Sequence, residues 1–194
     1  MNKIFTENHN KKDHSKDIIL NFVQDDTVFI HGIFDESISR HVVPQLYKLI
    51  DQESKKKDGK IIFDISSFGG YSQYLMHLLG IIEKAKRDGI VVETRVLSYA
   101  FSCGSMLACS GTKGSRFISE STEHLCHLGS GGTFVTNDIE LERQTEFVQA
   151  HFDFVRNTYK KYASIPDLKK VIKDDSLFVR GQKIIDWGLA DKIY

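Results

Sequence analysis

Ser102 stands in Ala100-Phe101-Ser102-Cys103-Gly104, a small-x-Ser-x-Gly run joining a stretch of strand character to an apolar stretch of helical character. A serine at such a junction is a candidate nucleophile. The turn is sharp, and its neighbours must be small because main chain and side chains crowd there. The start of the following helix also leaves unpaired N–H groups that can donate to a developing oxyanion. A small-residue turn capping a helix gives the same pattern without chemistry, and Ser105 in the same segment competes for the role.

Three other features could work with a nucleophile. Ser66-Ser67-Phe68-Gly69-Gly70 follows the apolar KIIFDI. Paired glycines turn without steric cost and let a backbone come close. The segment fits an oxyanion-holding turn, a peptide-binding edge or a plain strand-to-helix connection. Of the eight histidines, His9 and His14 lie in a polar N-terminal stretch, and His77 and His151 at helical positions. His124 and His127 share one strand candidate. Strand side chains alternate faces, so only one of them can face a given site. The acidic pair Asp174-Asp175 precedes Ser176-Leu177-Phe178 and is either a carboxylate source or a solvated loop.

The elements that must position these residues are legible in outline. TVFIHG (27–32), KIIFDI (60–65) and IVVETRVL (90–97) read as strands. Between Ser37 and Ser54, apolar Val42, Val43, Leu46, Leu49 and Ile50 recur at helical spacing, with Pro44 as the start or a kink. A helix through Leu75, Leu78, Leu79 and Ile82 should stop at Gly89. SRFI and EHLCHL read as short strands. Residues 137–163 read as one long helix opened by an Asn137 N-cap. Helices near Asp167–Lys173 and Gly181–Gly188 and a strand at Asp191–Tyr194 follow. Strands alternating with helices predict an α/β fold built from right-handed crossovers.

The bulk properties set limits. The 194 residues suit one domain, and 26 Lys+Arg balance 26 Asp+Glu, so no net charge favours nucleic acid or an anionic membrane. Cys103, Cys109 and Cys126 match neither a CxxC pair nor a zinc pattern and predict reduced thiols in a cytosol-like compartment. No apolar run reaches the roughly 18 residues of a membrane span. MNKIFTENHNKKDHSK lacks the apolar core of a signal peptide. Residues 1–16 are expected to form a flexible polar arm.

The order of Gly-Gly, Ser, His and an acidic segment resembles the Clp protease proteolytic subunit family over most of residues 27–194. VFIHGIFDESI is similar to the family's opening strand and first helix start. IIFDISSFGGY is similar to its strand and Asn-Ser-Pro-Gly-Gly turn, with Phe68 in place of proline. SYAFSCGSMLACSGTKGSRF aligns without gaps to the nucleophile segment, with Cys103 where the family has Met. The same register places the family's catalytic histidine on His127, not His124. It also selects Ser102 over Ser105. NDIELE resembles the opening of the helix that joins two rings, and IIDWGLADKIY resembles the family's C-terminal ending.

The chain departs from the family in three places. Counting back from Phe178, the usual aspartate position holds Ser176, with Asp175 and Asp174 one and two residues further back. TFVTN follows the glycines at 131–132 in place of a Gly-Gln-rich motif. The N-terminal region differs from the family's axial loops, which respond to the ATPase.

The resemblance implies an α/β fold of the Clp protease and crotonase type, with repeated β-β-α units and a protruding handle helix at 137–163. A single domain would span 17–194. It implies a serine endopeptidase in which Ser102 attacks the peptide carbonyl, His127 carries the proton and Asp175, or alternatively Asp174, orients the imidazole. The N–H groups of Gly70 and Cys103 would hold the oxyanion. No metal or organic cofactor is implied. The implied assembly is a cytoplasmic tetradecamer of two heptameric rings, fed unfolded polypeptide by an AAA+ unfoldase. Two other readings stay open: an inactive subunit with a structural role in a mixed ring, and a crotonase-type acyl-CoA enzyme.

Overall fold

In Lys60–Ile65, Ile61, Phe63 and Ile65 enter the core from one face, while on the other face Ile62 is also buried and Asp64 stays half-exposed. Fully burying a side chain of this size contributes about 1.5–3 kcal/mol, which fixes which face of the strand turns inward. The computed structural model describes residues 20–129, 138–165 and 176–194. Along the chain come β1 (Asn21–Gln24), β2 (Thr27–Ile30), a π-helical turn (Ile38–Val42), α1 (Val43–Glu53) and β3 (Lys60–Ile65). Then follow α2 (Ser72–Arg87), β4 (Val91–Val96), β5 (Tyr99–Phe101), α3 (Cys103–Cys109), β6 (Arg116–Ile118) and β7 (Glu123–Cys126). The chain closes with α4 (Asp138–Tyr162), β8 (Leu177–Arg180), α5 (Gln182–Asp186) and β9 (Lys192–Ile193).

Two sheets result. One has the order β1-β2-β3-β4-β6-β9, antiparallel only between β1 and β2. The other is β5-β7-β8, with β5 parallel and β8 antiparallel to β7. Each passage uses both sheets: β4 leads to β5 and then α3, and β6 leads to β7 and then α4. The passage after β3 is the same unit in a shortened form, because Ser67 bridges Ala100 of β5 before α2 begins. This is the repeated β-β-α architecture of the expected α/β fold.

The predicted helix over Ser37–Ser54 divides in two. Pro44 has no N–H to donate and falls in the first turn of α1, which proline tolerates, and the residues before it take a π-helical turn. The strand predicted over 27–32 ends at Ile30. Beyond it the Asn21 side chain takes over the main-chain bonding, accepting from Gly32 N–H at 2.9 Å and donating to the Ile33 carbonyl at 2.9 Å. The stop at Gly89 holds: at φ +83 its N–H reaches the Lys86 carbonyl and that of Ile90 reaches Ala85.

The long helix runs from Asp138 to Tyr162. Its Phe147 is 74% exposed, whereas Val155, Thr158 and Tyr159 are buried against the body. At its end Tyr162 Oη and Lys161 Nζ donate to Glu83 at 2.7 and 2.8 Å. Partial burial pushes the Glu83 carboxyl up, but hydrogen bonds from Lys161, Lys86 and Tyr162 outweigh it and hold it at about 2. Beside this anchor Arg116 is buried. It donates from Nε and Nη2 to Asp191 at 2.8 and 2.6 Å, and from Nη1 to the carbonyls of Cys109, Tyr162 and Gly188. No described helix is long and apolar enough to cross a membrane. The polar arm at 1–16, the Asn137 cap and the helix expected near 167–173 lie outside the described residues.

Candidate functional site

Ser102 caps α3 at φ 55, ψ −118, in the region that side-chain-bearing residues avoid. Only Asp25 shares a positive φ among the described non-glycine residues. A backbone held there costs about 1–3 kcal/mol and persists only when its surroundings fix it. Here they do. The Ser102 N–H donates to the Leu125 carbonyl at 2.8 Å, the Phe101 N–H to Ser67 at 2.9 Å, and the Ser102 carbonyl accepts from Met106 N–H at 3.1 Å. The result is a strand-to-helix elbow tied to β7 on one side and to the Ser67 turn on the other.

The paired glycines close the other wall. Gly69 at φ +100 sits so near the elbow that a Cβ there would lie 2.7 Å from Ser102 Cβ. Gly70 at φ +141 faces Phe34, whose main-chain atoms would be 2.6 and 2.7 Å from a Cβ. The bridge between Phe34 and Gly70 uses the Gly69 carbonyl and the Tyr71 N–H, so the Gly70 N–H is not spent on it. Cys103 opens α3, so its N–H has no carbonyl one turn earlier in the helix. Its thiol donates to the Gly70 carbonyl at 3.3 Å and is pushed up to about 11 by burial. Ser67 entered the sequence reading only as part of the Ser66-Ser67-Phe68-Gly69-Gly70 turn, with no role of its own. It is buried, donates to the Gly32 carbonyl at 2.6 Å and accepts from Gly69 N–H at 3.1 Å, so it shapes the glycine turn. Its position just before a strained Gly-Gly was the available signal.

The two histidines fall on opposite faces. His124 is fully buried, its imidazole is pushed down to about 3 by desolvation, and its Nδ1 meets Ser105 Oγ at 3.1 Å. That Ser–His pair is sealed in the core and has no route to a substrate. His127, half-buried, follows β7 on the face of Glu123 and Leu125.

β8 pairs with β7 through Phe178↔Leu125 and Leu177↔Cys126. The ladder ends at Cys126 and Leu177, and His127 and Ser176 are the residues next to it on the two chains. Asp174 and Asp175 lie outside the described residues. Phe68, Tyr99, Phe101 and Phe178 form a chain of ring contacts at 4.4, 5.3 and 5.8 Å beside the elbow, with Phe68 and Phe178 largely exposed. Cys103, Cys109 and Cys126 are all free and buried, and burial raises each thiol.

A nucleophile on a strained elbow, two main-chain N–H groups beside it and a histidine at the end of the adjoining strand can perform acyl transfer. Comparison with known proteins points the same way. The sequence model of the family described as Clp protease matches residues 10–194. That match reaches further upstream than the motifs quoted above. The chain is 29% identical over 190 residues to the ATP-dependent Clp protease proteolytic subunit 2 of Chlamydia abortus, covering 96% of this chain and 88% of that one. It is 27% identical over 197 residues to the ATP-dependent Clp protease proteolytic subunit of Streptococcus pneumoniae, covering 98% and 95%.

Proposed function

The chain belongs to the Clp protease family, and on that premise we propose that it is a serine endopeptidase subunit with Ser102 as nucleophile and His127 as general base. The observation that carries this reading is the Ser102 elbow, wedged against Gly69 and tied by its N–H to the strand that leads to His127. Ser102 Oγ attacks the peptide carbonyl as its proton passes to His127. The oxyanion is held by the N–H groups of Gly70 and Cys103. His127 then gives the proton to the leaving amine, and water repeats the cycle on the acyl-enzyme. The substrate chain adds as a strand beside the segment after Gly70. Family resemblance supports two stacked heptameric rings, with unfolded polypeptide as substrate and an AAA+ unfoldase as partner.

A fluorophosphonate probe tests the nucleophile. It should label the wild-type chain covalently and stoichiometrically and leave Ser102→Ala unlabelled. Labelling at another serine would refute the assignment.

The acid of the triad is proposed as Asp175, with Asp174 as the alternative. Whichever orients His127 should lower kcat by about 10²–10⁴ when changed to alanine, with KM little altered. Measured side by side, the two variants separate the candidates. Ser176 at the family's usual aspartate position, counted back from Phe178, favours a second reading, in which the subunit is weak or inactive and serves a mixed ring. Ser176→Asp distinguishes them. It should raise kcat at least about tenfold if neither Asp174 nor Asp175 serves, and leave it unchanged if one does.

A further inference from the structure

Ser105 and His124 are both fully buried, and neither belongs to the site proposed above. Ser105 lies one helical turn after Ser102 on α3, and His124 lies three residues before His127 at β7. The Ser105 hydroxyl meets His124 Nδ1 at 3.1 Å and Cys126 Sγ at 3.5 Å. The pair therefore joins the two elements that carry Ser102 and His127, at the same sequence distance from each. The bond from Ser102 N–H to the Leu125 carbonyl, at 2.8 Å, is the neighbouring tie between the same elements. Tyr159 of α4 is buried with them.

A polar pair in an apolar core specifies register in a way that an apolar pair does not. A slip of about 1 Å between α3 and β7 breaks the bond and strands two buried polar groups, whereas two methyl surfaces tolerate the slip. His124 Nε2 has no hydrogen-bond partner among the described residues, so the Nδ1 contact alone fixes the ring's role. The hydroxyl can donate or accept, so the bond survives in either neutral tautomer.

On the reading of Ser102 and His127 as nucleophile and base, we propose that Ser105 and His124 are a positioning pair that sets the register of α3 against β7, and with it the approach of His127 to Ser102. They touch no substrate and carry no proton.

The test uses the full chain with a short fluorogenic peptide and a fluorophosphonate probe. Ser105→Ala and His124→Leu should each lower kcat by about 10- to 100-fold at nearly unchanged KM, and slow probe labelling by the same factor. His124→Asn, which keeps a polar group at the Nδ1 position, should recover most of the loss. The double variant should be no worse than the poorer single one, because both remove one bond. Val28→Ala, a truncation in the core of the other sheet, controls for lost stability and should keep its kcat at temperatures where it is folded. The proposal is overturned if Ser105→Ala and His124→Leu keep kcat within about twofold, or if Val28→Ala loses as much as they do.

Hydrogen exchange at the Ser102 amide reads the register without turnover. It should quicken at least about tenfold in both variants, and exchange within about twofold of wild type overturns the proposal. If the wild-type chain neither hydrolyses peptide nor reacts with the probe, the nucleophile reading fails, and the exchange measurement still decides the register.

Discussion

Peptide hydrolysis is expected to fall to background in both Ser102→Ala and His127→Ala, with the unfolding temperature and assembly size of the wild type retained. The expected loss in kcat is about 10⁴–10⁶ for each, and the double variant should be no worse than either single one. On the proposed mechanism, Ser102 supplies the atom that forms the acyl bond and His127 carries the proton. Removing either stops the same step, so the losses do not add. Alanine at 102 experiences the same positive φ as serine, and the bonds from Ser102 N–H to Leu125 and from Met106 N–H to the 102 carbonyl are main-chain and persist. Folding should therefore be unaffected. The activity left by the main-chain oxyanion donors alone, about 10³–10⁴ over water, lies far below that of an intact triad. Steady-state assays on purified variants check this, and robust turnover in either one would remove it from the catalytic machinery.

Arg116→Met should destabilise the fold by about 3–5 kcal/mol, because it leaves the Asp191 carboxylate without the guanidinium it was buried with. Three carbonyls, of Cys109, Tyr162 and Gly188, lose their donor at the same time. For a chain of this length the melting temperature should drop by about 6–20 °C. The same pair sets an acid limit. Burial raises the Asp191 carboxyl, but hydrogen bonds and charge from Arg116, joined by the N–H groups of Gly114 and Arg116, outweigh it and hold the group below its ordinary value. The unfolded chain then binds this proton more tightly than the folded one. The stabilisation is complete above the unfolded carboxyl's pKa of about 3.9 and is lost as pH falls through the lower folded value. Between about pH 5 and pH 2, wild type should lose more stability than Asp191→Ala, by thermal melts at a series of pH values. Equal acid sensitivity of the two would sink this account.

Much of the fold was readable because burial leaves a periodic trace. KIIFDI shows a short apolar run, α2 shows apolar residues at helical spacing with a glycine after its end, and both elements stand where expected. β5 has three residues, too few for any period to emerge, whereas the strand expected over Asp191–Tyr194 stands at Lys192–Ile193. The pairing of β7 with β8 joins residues more than fifty positions apart, and nothing local announces it. At the site, the Ser102 elbow and the faces of His124 and His127 followed from local rules: a turn that needs small neighbours, and the alternation of a strand. The acid did not. Its place depends on the segment that leads into β8, where Asp174 and Asp175 lie outside the described residues. The Ser105–His124 pair was equally hidden, because a serine and a histidine carry no mark in sequence of being buried together.

Helix α4 buries Val155, Thr158 and Tyr159 toward its C-terminal end, while Phe147 further back stands 74% exposed. Its 25 residues span about 37 Å at 1.5 Å per residue. Mechanically it is a cantilever with its clamp at Tyr159 and Tyr162, beside Glu83 and Arg116. Rotating the clamp by about 6° would carry the far tip about 4 Å, more than the length of a hydrogen bond, over the span that the rise per residue gives. Strain of a few tenths of an ångström around Arg116 is thus magnified into a displacement that a neighbouring molecule touching the tip would register.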